Sequence, residues 1–293
     1  MTLAEALAAG AALGLDRLDA QLLLLHALGR ARGDRAWLLA HDGDSLDAGM
    51  QSRFLELCGR RAAGEPFAYI VGTKEFFGLE LHVDARVLIP RPDTETLVEW
   101  SLEILGCHCG LDPQSRGDWI AGQARNDSPR VIDLGTGSGA IALAIKKQCP
   151  AAVMEAVDAS AGALEVAAEN ARRLGLDVTF RQASWLADAT AKYDLIVSNP
   201  PYVAAGDPHL AALRHEPAQA LVAGPDGLGD IRTIVAQALA HLRPGGWLVL
   251  EHGYDQAGAV RELLAAAGFR SVASRKDLAG IERCSGGQRL ELG

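Results

Sequence analysis

Apolar residues recur at three- and four-residue spacing through the first part of the chain, and in alternating strand-like and helix-like blocks through its last part. Asp16 stands where it can cap a helix whose apolar positions are Leu18, Leu22, Leu25 and Leu28. Leu46, Met50, Phe54 and Cys58 fall on one face of a later helix, and Gly64-Glu65-Pro66 breaks it, so residues 1 to about 63 read as helical. From Tyr69 to Leu88 the character changes. Phe76-Phe77-Gly78-Leu79-Glu80-Leu81-His82-Val83 combines aromatics, a glycine and alternation, which predicts a strand or hairpin. Ile89-Pro90-Arg91-Pro92 ends it, and Asp93 or Thr94 is placed to cap a helix through Leu97, Val98 and Leu102.

Residues 105–129 have no clear period and read as an exposed insertion. Cys107-His108-Cys109 lies within it, but a Cys-x-Cys without a second pair nearby is a poor metal site. Beyond it, Val131–Leu134, Val153–Val157, Val178–Arg181, Leu195–Ser198 and Trp247–Leu250 read as strands, with helices over Ala140–Lys147 and Ala161–Leu174. This alternation predicts an α/β fold with a mostly parallel sheet and helices on both faces.

The composition is that of a globular protein: 293 residues, 49% hydrophobic and 22% charged. The net charge of −9 and the lack of a Lys/Arg run speak against a phosphate-neutralising partner, so no direct nucleic-acid binding is expected. No apolar stretch approaches the ~20 residues a membrane span requires, and Met1-Thr2-Leu3-Ala4-Glu5 has no secretory character. Five scattered cysteines suggest no disulfide framework and fit a reducing cytoplasm. The eight histidines show no metal spacing, and no metal is expected.

Gly135, Thr136, Gly137, Ser138 and Gly139 occupy a strand-to-helix turn, where glycines allow tight bending and close approach of a ligand. The spacing is Gly-x-Gly-x-Gly, not the dinucleotide Gly-x-Gly-x-x-Gly. Asp158, 19 residues beyond Gly139 at the end of the next strand, can accept hydrogen bonds from both hydroxyls of a ribose. These two signals indicate a nucleoside ligand without separating a nicotinamide dinucleotide from S-adenosylmethionine. The latter is a sulfonium cation without phosphate, which suits Asp133 beside the turn and the acidic chain.

Asn199-Pro200-Pro201-Tyr202 follows the fourth strand and faces the same side of the sheet as the glycine turn. Two consecutive prolines stiffen the backbone and remove two N–H donors while leaving the carbonyls. With the Asn199 side-chain oxygen and the Tyr202 ring, this is an acceptor-rich corner for a planar NH2 group. An amide nitrogen is a poor nucleophile. Transfer of a methyl group to it depends on acceptors that take its hydrogens and on alignment with the donor. A strand-end Glu251-His252 pair is placed to order that loop rather than to react.

Asn-Pro-Pro-Tyr is shared by amino methyltransferases of adenine, cytosine and glutamine. Around it the chain resembles the PrmC/HemK family of release-factor glutamine methyltransferases. The resemblance is carried by Gly64-Glu65-Pro66, Glu75-Phe76-Phe77-Gly78, Leu88 to Glu95, Glu216-Pro217 with Ala220-Leu221, and Leu250-Glu251-His252-Gly253. It implies a class I S-adenosylmethionine-dependent methyltransferase fold, Rossmann-like, with a seven-stranded, mostly parallel sheet and a small helical N-terminal domain. The implied organisation is a substrate-recognition domain over 1-68, a hairpin linker over 69-90 and a catalytic domain over 91-293, with 105-129 a flexible insertion. Gly135 to Gly139, Asp158, Trp185 and Asn199 would contact S-adenosyl-L-methionine, and Asn199 to Tyr202 would hold the glutamine. The implied partner is a peptide chain release factor, met by a monomer.

The chain departs from the family pattern at Ser184, where relatives often carry an acid before the tryptophan, and at Gly286-Gly287-Gln288, read here as a turn before the last strand. The latter repeats the motif the family methylates in its substrate, which raises self-methylation as a hypothesis. Three other readings compete. They are a glutamine methyltransferase of a ribosomal protein, a nucleic-acid amino methyltransferase, which should carry a basic groove, and a nucleoside-binding regulator with an inactive site.

Overall fold

The computed structural model describes residues 1–107 and 128–290, and the expected insertion lies outside the described residues except at its edges. The chain divides into two compact units, Met1–Thr73 and Lys74–Gly293.

The first unit is helical: α1 (Leu3–Ala12), α2 (Arg17–Ala27), α3 (Arg35–Ala40), α4 (Ala48–Ala62) and α5 (Phe67–Val71). Thr2 and Glu5 form a capping box on α1, and the Asp16 and Asp47 carboxylates each accept a 2.8 Å hydrogen bond from the backbone N–H three residues on. The buried face of α2 is Ala20, Leu23, Leu24 and Ala27, together with Leu25. This corrects the expected Leu18, Leu22, Leu25, Leu28 face, since Leu18 is 48% exposed. A run of four leucines satisfies two helical stripes at once, and packing against Phe54 and Cys58 selects one.

The second unit opens with a hairpin, β1 (Thr73–Phe76) and β2 (Leu79–His82). Next come a 3-10 turn over Pro92–Thr94 and α6 (Glu95–Ile104). Neither Asp93 nor Thr94 caps α6 by its side chain, contrary to expectation, because the 3-10 turn runs straight into the helix. The rest alternates: β3 (Arg130–Leu134), α7 (Ala140–Gln148), β4 (Val153–Asp158), α8 (Ala161–Leu174), β5 (Thr179–Gln182), β6 (Tyr193–Ser198), α9 (Gly229–His241), β7 (Leu242–Glu251), α10 (Ala257–Ala266), β8 (Arg270–Lys276) and β9 (Glu282–Gln288).

The seven strands run in the order β5-β4-β3-β6-β7-β9-β8, parallel from β5 to β7, with β9 antiparallel to both its neighbours. The chain moves outward from β3 to β5, then returns to the other side of β3 with β6. The carboxyl ends of β3 and β6 therefore bound the crevice in which such sheets bind ligands.

Gly286 and Gly287 are not a turn. They lie inside β9, buried, paired with Val249 and Leu248 of β7. A β-carbon on Gly286 would meet the Leu248 carbonyl at 2.7 Å and the Trp100 ring at 3.0 Å, and one on Gly287 would meet Phe269 at 2.8 Å. The glycines are what let large aromatics pack on both faces of this strand. Gln288 donates through Nε2 to the Gly245 carbonyl at 3.0 Å. Pairing within β9 and the Gln288 hydrogen bond hold this Gly-Gly-Gln in the sheet, which speaks against self-methylation.

Cys107, just beyond α6, and Cys149, at the end of α7, form a disulfide, where the scattered cysteines had suggested no disulfide framework. Cys58 and Cys284 are free and buried. His108 and Cys109 lie outside the described residues.

Candidate active site

A cavity of about 480 Å³ opens at the carboxyl ends of β3, β4 and β6. Gly135, Gly137, Asp158, Trp185, Asn199 and Pro201 line it, joined by Ser184, Asp230 and residues 86–88. Thr136, Ser138, Gly139, Pro200 and Tyr202 do not line it. Thr136, Ser138 and Tyr202 hold the turn and the corner through hydrogen bonds.

The turn after β3 is folded by its glycines and by two carboxylates. Gly135, Gly137 and Gly139 all have positive φ, at 72°, 55° and 84°. These conformations cost a side-chain-bearing residue but not glycine. Asp158 accepts hydrogen bonds from the backbone N–H groups of Gly137 and Ser160, both at 2.9 Å. Beneath the turn Asp133 is fully buried, and the Thr136 hydroxyl donates to it at 2.7 Å. Burial pushes the Asp133 carboxyl up to about 7 against that hydrogen bond. Asn170 of α8 is buried and spans from the hairpin to the turn. It donates to the carbonyls of His82 at 3.0 Å and Ser138 at 2.9 Å, and accepts from the His82 N–H at 2.7 Å.

Trp185 has a positive φ of 51°, strained for a large side chain, and its ring lies on Gly135, where an added β-carbon would approach it to 3.2 Å. Asp230 at the start of α9 faces the same indole. Burial raises its carboxyl, and a hydrogen bond from Trp185 opposes the rise. It was not anticipated from the sequence, because an isolated acid in an amphipathic helix carries no local signature. Ser184, where an acid was expected, shares the cavity with it.

The Asn199-to-Tyr202 corner follows β6, whose Ser198 hydroxyl donates to the Leu134 carbonyl at 2.6 Å and ties it to the strand bearing the glycine turn. Asn199 donates from Nδ2 to the Thr94 hydroxyl oxygen at 3.3 Å. Tyr202 donates its hydroxyl proton to Glu251 Oε1 at 3.3 Å, and its backbone carbonyl accepts from Gln256 at 3.1 Å. Glu251 is buried, and burial pushes its carboxyl up to about 7, while the Thr94 and Tyr202 hydroxyls pull it down. His252 is buried against the Gly253 carbonyl and Ser285, as befits an ordering role. Arg91 pairs with the buried Glu216 at 2.5 Å, and Glu216 also accepts the Ile89 N–H at 3.1 Å. Two stretches over a hundred residues apart are thereby closed over one edge of the site.

The cavity fits a nucleoside-containing ligand. Its floor is a glycine turn on which nothing lies within 4 Å of a β-carbon built at Gly137, with a carboxylate at the second strand end and an aromatic ring beside it. Among the described residues no three His, Cys, Asp or Glu side chains gather to hold a metal.

Comparison with known proteins decides the family. Residues 2–72 match the PrmC N-terminal domain and residues 120–224 the Methyltransferase small domain. The release factor glutamine methyltransferase of Burkholderia pseudomallei is 50% identical over 94% of this chain and 92% of its own length. That of Xylella fastidiosa (strain Temecula1) is 48% identical over 97% of each. The chain belongs to the release factor glutamine methyltransferase family. A methyltransferase from Pyrococcus furiosus, 18% identical, superposes over 80% of this chain and 99% of its own with a TM-score of 0.51, and so shares the fold. Membership of the release factor glutamine methyltransferase family makes this chain an S-adenosylmethionine-dependent methyltransferase of class I fold, as the sequence implied. The cavity of this family member brings together Gly135, Gly137, Asp158, Trp185 and Asn199.

Proposed function

We propose that this protein methylates the side-chain amide nitrogen of the glutamine in the Gly-Gly-Gln motif of class 1 peptide chain release factors. The observation that carries this reading is the Asn199 carboxamide. Its nitrogen is committed to Thr94, so its oxygen is left to accept an N–H at the rim of the cavity. S-adenosylmethionine supplies an electrophilic methyl group when bound. The chain's own residues do the rest. Asp158 and the glycine turn receive the ribose end of the donor, and Trp185 flanks its base. Asn199 Oδ1 and the Pro200 carbonyl accept hydrogen bonds from the two amide N–H groups, which localises the nitrogen lone pair. As the N–CH3 bond forms and the S–CH3 bond breaks, the nitrogen gives up one of its two protons to solvent. Pro201 and Tyr202 keep that corner rigid.

In this reading residues 1-68 recognise the protein substrate, 69-90 form a linker and 91-293 carry the chemistry. The enzyme acts as a cytoplasmic monomer without direct nucleic-acid contact. No helix among the described residues is long and apolar enough to cross a membrane, and the net charge is −9. The test is incubation of purified protein with labelled S-adenosylmethionine and, separately, release factors, ribosomal proteins and RNA. Label on the Gly-Gly-Gln glutamine is expected. Label on a ribosomal protein or on RNA, with release factors unlabelled, overturns the assignment.

A further inference from the structure

The carboxamide of Asn199 has two opposite ends, a donor and an acceptor, and only one orientation presents oxygen to a substrate N–H. What decides between them lies behind it. Thr94 is 4% exposed, and its oxygen accepts from Asn199 Nδ2 at 3.3 Å. Glu251, 1% exposed, is the carboxyl that the Thr94 hydroxyl interacts with. Glu251 Oε1 accepts from Tyr202, and its Oε2 has no hydrogen-bond partner within ordinary geometry among the described residues. A buried carboxyl oxygen without a partner is costly, about 1–3 kcal/mol. The Thr94 hydroxyl rotates freely and has one proton to give. With Glu251 ionised, as it is above about pH 7, the Thr94 proton directed at it leaves only oxygen lone pairs facing Asn199, which therefore turns its NH2 toward Thr94 and its oxygen away.

We propose that Thr94 is a positioning residue for methyl transfer: backed by Glu251, it sets which end of the Asn199 carboxamide meets the substrate. The inference rests on the proposed amide methylation. It assigns a function to Thr94, whose side chain bonds Asn199 rather than capping a helix. The other charged groups facing Glu251 are Asp93 and Arg283. Thr94 itself touches no reacting atom.

The experiment compares wild type, Thr94→Val, Thr94→Ser and Glu251→Gln as full chains. Steady-state transfer to a release factor gives kcat and KM, and calorimetry gives affinity for S-adenosylhomocysteine. Thr94→Val should bind S-adenosylhomocysteine within about 3-fold of wild type yet lose about 10- to 100-fold in kcat, the scale of a misoriented catalytic contact. Thr94→Ser should recover most of it. Wild-type kcat in Thr94→Val, or Thr94→Ser as slow as Thr94→Val, overturns the proposal. Should Thr94→Val fail to bind S-adenosylhomocysteine, Glu251→Gln carries the test. Undiminished kcat in that variant overturns the proposal, and a selective fall in kcat supports it. If wild type labels no glutamine at all, the reading of function falls and takes this with it. Active wild type with an equally active Thr94→Val removes the positioning role alone.

Discussion

Asp158, at the end of β4, accepts a 2.9 Å hydrogen bond from the backbone N–H of Gly137, in the turn that follows β3. One carboxylate thus shapes the turn and lines the cavity, and the proposed function has it receive a ribose. Asp158→Asn exchanges an acceptor for a donor facing an N–H, and should weaken S-adenosylmethionine binding by about 10-fold or more. That corresponds to the ~1.5–3 kcal/mol of a hydrogen bond to a charged group. Calorimetric titration checks it. Unchanged affinity would show that Asp158 serves the turn alone.

Asn199→Ala separates binding from chemistry. The variant should hold S-adenosylhomocysteine within a few-fold of wild type while kcat falls about 10²–10³-fold, the usual loss when one preorganised hydrogen-bond partner is removed. Single-turnover transfer to a release factor reads this directly. Undiminished turnover would contradict the role given to the corner.

Gly286→Ala should destabilise the catalytic unit by about 1–3 kcal/mol through overpacking against the Leu248 carbonyl and the Trp100 ring. For a unit of this size each kcal/mol lowers the melting temperature by about 2–4 °C. A thermal scan showing no decrease would mean that β9 shifts to accommodate the methyl group.

Asp133 and Glu251 are both buried with carboxyls raised to about 7. The folded protein therefore holds protons that the unfolded chain releases near pH 4. Their contribution to stability is complete below about pH 4 and is lost as pH rises to about 7. Thr136 and Asp158 face the first group, and Thr94, Tyr202, Asp93 and Arg283 the second. Urea midpoints should fall between pH 5 and pH 7, and Asp133→Asn should flatten that slope. A wild-type midpoint that rises over this range would show that both groups are ionised in the fold.

The parallel strands, the glycine turn and Asn199-to-Tyr202 could be read from the sequence, because each is local: a run of apolar residues, a spacing of glycines, four adjacent residues. What could not be read depends on contacts between distant segments. The face α2 buries was hidden because Leu22 to Leu25 supply apolar residues in every direction. Thr94 resembled a helix cap because that is the local chemistry of threonine, whereas its partners lie 105 and 157 residues further on, at Asn199 and Glu251. Gly286-Gly287 resembled a turn because glycine pairs usually make turns. Only the positions of Trp100 and Phe269 reveal why small residues are needed in mid-strand. Asn170 and Asp230 had no signal at all, each being one polar residue on a helix.

The order of strands at the antiparallel edge carries a consequence for how the protein matures. β8 is made before β9 but lies outside it, and among the described residues its sheet partner is β9 alone. During synthesis the helical residues 1–73 emerge first and β3 to β7 can begin to assemble behind them. β8, however, must wait beside an open edge at β7 until the later strand slips between the two. A chaperone or protease meeting the nascent chain would find that unguarded edge, and shortening the polypeptide before Glu282 would make it permanent.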